Sequence, residues 1–129
     1  KIKISKKDKI VSKKIFKKFS SSEGSPDGMT LDRNKNLWVA HFHGACVSVF
    51  NIRAKLIHRI YLPAKNITNC TFGGLKNNEV FITSATKGMN RADLQKFKYS
   101  GFLFSIKSNI KGIQQKKFIL KNAKKRSLL

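Results

Sequence analysis

Acidic residues are scarce in this chain: six Asp and Glu stand against 28 Lys and Arg among 129 residues, a formal charge of +22. Few carboxylates are therefore on offer for acid–base work or for holding a hard cation. Cysteine is scarce too. Cys46 and Cys70 lie far apart in the sequence and form no CxxC pair, which argues against a zinc ribbon or a disulfide framework. They read as reduced, buried thiols of a cytoplasmic protein. No stretch approaches the roughly 18 consecutive apolar residues of a membrane-spanning helix, so none is expected. The basic N-terminus lacks the apolar core of a signal peptide. Long helical patterns are missing. So are a nucleophile elbow, a P-loop and a dinucleotide fingerprint, and a covalent serine mechanism has no support.

The positive charge invites a nucleic-acid partner, but its distribution argues against one. Nine Lys lie in residues 1–18, and six Lys with one Arg lie in 111–129, together 16 of the 28 basic residues. Lys outnumbers Arg by 23 to five, although Arg is the better reader of bases and phosphates. The basic residues alternate along strand patterns, as in Ile10 to Phe19, and form no aromatic stacking platform. A solvated, Lys-rich surface is the expectation. The sequons at Asn66 and Asn69 read as chance matches.

What is present is a repeat. Ser25 to Phe42 aligns without a gap on Thr68 to Ala85 at a spacing of 43 residues. Met29 falls on Phe72, Leu37 on Val80, Trp38 on Phe81 and Val39 on Ile82. Repeats of about 40–45 residues built from short strands mark β-propeller blades. Apolar content of 40% with ten Phe suffices for a packed core. The expected fold is all-β, with residues 1–19 ending one blade through strands near Ile2–Ile4 and Ile10–Phe19. Ser20 to Pro26 connects blades. Residues 27–62 form a full blade with strands at Met29–Leu31, Leu37–Phe42, Cys46–Phe50 and Leu56–Leu62. Residues 69–120 form a second, with strands at Cys70–Gly74, Glu79–Ser84, Phe102–Ile106 and Ile113–Leu120. An insertion at 85–100 carries a helical turn at Asp93–Phe97, and 121–129 is a loose basic tail. The chain starts at Lys1 rather than Met, in mid-blade, and is expected to need further blades. Alone it would be poorly stable, because an open blade pair leaves bare sheet edges and an apolar flank.

The motifs along this repeat are Pro26-Asp27-Gly28-Met29, Asp32, Leu37-Trp38-Val39-Ala40, Leu62-Pro63, Phe72-Gly73-Gly74, Ile82-Thr83-Ser84-Ala85, Gly88-Met89 and Gly101-Phe102-Leu103-Phe104. In order and spacing they resemble the gluconolactonase/regucalcin family, the senescence-marker-protein family of six-bladed propellers. The match runs from about Ile10 to Phe118 and corresponds to the last two and a half blades. The resemblance implies a metal-dependent lactonase acting on a sugar lactone, with one divalent cation (Ca, Zn, Mg or Mn) at the channel mouth. The cation would polarise the lactone carbonyl and assist attack of water. Of the family's metal ligands only the Asp of Pro-Asp-Gly has a counterpart, Asp27. The Glu and Asn ligands and the substrate-holding Arg and Asn lie in blades outside this chain, so no catalytic or substrate-binding residue is assigned. A non-catalytic calcium-binding or interaction propeller is the alternative.

Asp27 suits its role on physical grounds as well. It stands between a residue that restrains the backbone and one that frees it, at the start of an innermost strand. The ungapped repeat sets it against Cys70, so only one copy carries a carboxylate. His41 and His43, two apart on a strand, would share a face and could hold zinc, but no third ligand stands nearby. Asp32 reads as a turn residue, Glu23 as an exposed loop carboxylate, and Trp38 and Phe81 as equivalent core residues. Gly73 and Gly74 allow blades to crowd together, and Gly88 and Met89 would shape a rim.

Overall fold

A computed structural model of the chain describes residues 2–114. Nine strands are described: β1 (Ile2–Ile4), β2 (Ile10–Lys13), β3 (Ser25–Leu31), β4 (Leu37–Phe42), β5 (Cys46–Phe50), β6 (Leu56–Tyr61), β7 (Asn66–Gly73), β8 (Glu79–Ala85) and β9 (Leu103–Lys107). One helix, α1 (Arg91–Lys96), sits between β8 and β9. All pairings within the sheets are antiparallel: a β1-β2 hairpin, a four-stranded sheet β3-β4-β5-β6 and a three-stranded sheet β7-β8-β9. The two larger sheets pack face to face through β3 and β4 on β7, as successive blades of a propeller do.

The central strands explain the arrangement. β4 and β5 read LWVAHF and CVSVF, and nearly every residue in them is buried. A strand covered on both faces has no polar side to show. Trp38, Ala40, Val47 and Val49 turn toward the second sheet and meet Cys70, Val80, Ile82 and Phe72. The Trp38 and Phe72 rings meet edge to face at 5.1 Å. The opposite face, with Val39, His41 and Phe50, is covered by Phe19, whose ring lies 5.1 Å from His41 and 5.7 Å from Phe50.

Several expectations need correction. The strand foreseen over Ile10–Phe19 ends at Lys13, and the residues after it lie against the first sheet instead of extending the hairpin. The inner strands start earlier than expected, at Ser25 and Asn66. Phe81 is half-buried where Trp38 is buried. Both point away from the preceding sheet, but Trp38 meets the second sheet, while no sheet among the described residues covers Phe81. The fourth strand foreseen at Ile113–Leu120 lies mostly outside the described residues. Its first two residues are not in a strand; Gly112 bridges Asp32, and Ile113 donates to the Leu31 carbonyl.

The repeat itself has a different register from the ungapped alignment. β4 and β8 do correspond at a spacing of 43 residues, Val39 to Ile82 among them. But Val39 pairs with Met29, and Ile82 pairs with Cys70. Met29 therefore corresponds to Cys70, not Phe72, and the inner strands are two residues out of step. The two turns are equally long, but the second hairpin carries one more ladder pair, Gly73 with Glu79, beyond the pair Phe72 with Val80 that matches Leu31 with Leu37. A two-residue slip returns every side chain to its original face, so apolar alternation could not reveal it.

His41 is wholly buried, its Nδ1 donating to the Glu23 carbonyl at 2.7 Å while Nε2 has no partner among the described residues. Burial pushes its pKa below the ordinary 6.5. The unfolded chain then takes up a proton that the buried ring refuses. Stability is expected to be full above pH 6.5 and to fall as the pH drops below it. Urea titrations of the complete protein across this range should show the slope, and His41→Gln should remove it. Glu23 is held low by the Ser20 backbone N–H and then by Arg59, and its separate loss begins only below pH 4.5.

Candidate functional site

The first inner strand carries an irregularity where the chemistry was expected. Pro26 pairs with His41 and Met29 with Val39, so Asp27 and Gly28 together stand opposite Ala40. Two residues against one is a β-bulge, a device that re-aims a side chain at a sheet edge. Gly28 seats the bulge on the neighbouring sheet. A Cβ there would stand 2.7 Å from the Asn69 Cα and would collide with the Asn69 amide oxygen. Gly28→Ala is expected to cost about 2 kcal/mol by forcing the two inner strands apart, read as a shift in the urea midpoint of the complete protein.

Asp27 is exposed, and its carboxylate makes no hydrogen bond or ion pair with other described residues. It lines an open cavity of about 490 Å³ with Pro26, Phe42, His43, Lys87 and Gly88. By sheet register its counterpart in the second sheet is Thr68, not Cys70. There too the inner strand bulges, between Ile67 and Asn69, but the side chain is a hydroxyl that meets Thr83 Oγ1 at 2.7 Å. The contrast between a carboxylate and a neutral residue therefore stands, with a different partner.

The remaining candidates separate. β4 ends at Phe42, and His43 sits in the following turn at φ 67°, so it does not share a strand face with His41. His41 is turned inward to Glu23, while His43 packs on Phe42 and faces the cavity. Asp32 is wholly buried and accepts from Asn36 N and Nδ2 at 2.9 Å and from Trp38 Nε1 at 3.0 Å. Glu23 is not a free loop carboxylate. It closes a capping box with Ser20 and pairs with Arg59 at 2.9 Å. Gly88 lines the cavity and Met89 does not.

Lys87 is a cavity residue that sequence reasoning missed, and His43, foreseen on a strand face, reaches the cavity from a turn instead. Each becomes part of the site through a turn, and no periodic pattern marks a turn residue's neighbours in space. Among the described residues no three His, Cys, Asp or Glu side chains gather. The described residues alone therefore do not fit a divalent cation; Asp27 is the one carboxylate that lines the cavity.

The family model for the SMP-30/gluconolactonase/LRE-like region matches residues 1–86. The chain belongs to that family. The Bacillus subtilis protein named "Putative sugar lactone lactonase YvrE" is 40% identical over 98 residues, 75% of this chain and 34% of its own length. Regucalcin of Danio rerio is 39% identical over 98 residues, 74% of this chain and 33% of its own length. A solved luciferin-regenerating enzyme superposes with a TM-score of 0.75 at 25% identity, covering 86% of this chain and 38% of that one. A solved calcium-binding protein, regucalcin, from Agrobacterium tumefaciens shares the fold, with a TM-score of 0.73 at 22% identity over 80% of this chain and 35% of its own. The chain spans about a third of the length of the curated relatives it matches. Its all-β architecture is thus part of a β-propeller of this family. No helix among the described residues is long and apolar enough to cross a membrane.

Proposed function

We propose that this chain contributes Asp27, as one ligand of a divalent cation, to a sugar-lactone hydrolase. The observation that carries the reading is the β-bulge in a chain of this family. It turns an unpaired carboxylate into an open cavity and sits against Asn69 through Gly28. The remaining ligands and substrate contacts would come from outside the described residues. A divalent cation at such a site supplies a Lewis acid for the lactone carbonyl and its developing oxyanion.

The chain's own part is binding and orientation. Asp27 offers an anionic oxygen to a hard cation. Gly28 and Asn69 keep it from swinging away. His43 and Lys87 stand on the cavity rim, where the hydroxyls of a sugar ring can meet them. The substrate is a small sugar lactone; neither a membrane nor a nucleic acid is part of this reading. The location belonging to it is cytoplasmic, supported by Cys46 and Cys70 as free, buried thiols.

The solved neighbour named as a calcium-binding protein supports calcium binding, and a calcium-binding propeller without catalysis is the second reading. One experiment separates them. The complete protein is assayed on gluconolactone with and without added divalent metal, and metal binding is measured on the same sample. Metal-dependent hydrolysis establishes the enzyme; calcium binding without hydrolysis establishes the other reading.

A further inference from the structure

The two rims of the Asp27 cavity are tied together by one buried side chain. Asn66 is fully buried, and its amide uses both ends: Nδ2 donates to the Lys87 carbonyl at 2.9 Å, and Oδ1 accepts from His43 N at 3.3 Å. Lys65 repeats the pattern beside it. Its carbonyl accepts from Ala45 N at 2.9 Å, and its N–H donates to Ser100 Oγ at 3.1 Å. The turn after β4 and the loop after β8 are thereby held at a set spacing on either side of Asp27. Both turns come from distant parts of the chain, and the linker between the sheets fixes them.

The charge balance of this cavity follows from the scarcity of acids. All six are accounted for. Glu23 is paired with Arg59, and Asp93 with Lys65. Asp32 is buried in its own turn. Asp8 lies in the β1–β2 turn, and Glu79 opens β8. Asp27 alone among them lines the cavity. Lys87 is exposed there and forms no ion pair among the described residues. Lys87 makes no ion pair with Asp27 across the cavity, so its ammonium is available to a ligand there. A volume of about 490 Å³ is of the size that holds a small ligand.

We propose that this cavity selects lactones bearing a second, anionic group, a phosphate ester or a carboxylate, and that Lys87 reads it from a rim positioned by Asn66. The proposal rests on the lactonase reading and names its substrate class. An ammonium facing a phosphate or carboxylate makes a charge-assisted hydrogen bond, roughly twice as strong as a neutral one. The strongly basic surface draws anions toward the site from a distance.

The test uses the complete protein with two readouts. The first compares kcat/KM for phosphogluconolactone and for gluconolactone. A preference of about tenfold for the charged lactone is expected, and Lys87→Gln should abolish it, lowering turnover of the charged lactone far more than that of gluconolactone. Asn66→Ala keeps the Lys87 charge but frees its loop, and should lower the same ratio. A ratio of two substrates does not move with the folded fraction, so a merely structural role for Asn66 would leave it intact. The second readout is binding, by NMR titration, of a hexose phosphate against the free hexose. Wild type should favour the phosphate, and Lys87→Gln should not. Equal binding of the two sugars by wild type, or a preference that survives Lys87→Gln, overturns the proposal. If neither lactone is hydrolysed, the lactonase reading falls, and the binding comparison still decides whether Lys87 recognises an anion.

Discussion

Asp27→Asn in the complete protein is expected to lower metal affinity and lactone hydrolysis together, on the order of a hundredfold at limiting metal. The substitution removes one charge and keeps the side chain's size. The attraction lost acts at contact distance, where a carboxylate among few ligands matters most. The fold should persist, because Asn keeps the size of the exposed side chain at the bulge and Asp27 makes no hydrogen bond or ion pair among the described residues. Excess metal should restore part of the rate. Isothermal titration of the metal and initial rates across metal concentrations check this. Hydrolysis at the parental rate at every limiting metal concentration would remove Asp27 from the site.

Asp32→Ala should produce the opposite pattern, a large loss of stability with unchanged chemistry. Three donors converge on the Asp32 carboxylate inside the protein: Asn36 N, Asn36 Nδ2 and Trp38 Nε1. Its removal strands them away from water. One stranded buried donor costs about 1–3 kcal/mol, so a loss of about 3 kcal/mol or more is expected. The Trp38 ring would also lose the anchor that fixes its edge against Phe72. Chemical unfolding reads the change directly. The metal dependence of whatever fraction remains folded should match the parent. A change in metal response would show that Asp32 acts on the site and not only on the turn.

The contrast between these two carboxylates was partly legible in the chain. Pro26-Asp27-Gly28 announces a turn at the head of a strand, and its neighbours carry the family resemblance. Asp32 followed by Asn36 reads as a polar turn between two strands. What neither pattern conveys is burial. Asp27 is exposed and Asp32 is wholly buried, though one lies near the head of β3 and the other just past its end. The difference arises because Trp38 and Asn36 fold their polar atoms back onto Asp32, while the bulge lifts Asp27 out of the ladder.

Strand identity and blade order follow from short apolar runs bounded by turn residues, although β4 and β5, buried on both faces, show little alternation. A side chain's face is set by counting along its own strand, and no distant contact is needed for it. This is why the four-stranded first blade, the helical turn near Asp93 and the place of Trp38 could be read directly. Pairing register and the making of the cavity are of another kind. Register depends on how many ladder pairs each hairpin forms, and a two-residue slip leaves the apolar pattern the same, so Asp27 was set against Cys70 when the sheets match it to Thr68. The cavity joins the head of β3, the turn after β4 and the loop after β8, and they meet only because Asn66 and Lys65 bond to the latter two across the linker. Contacts between residues so far apart in the chain leave no periodic trace, and they exist once the two sheets have packed.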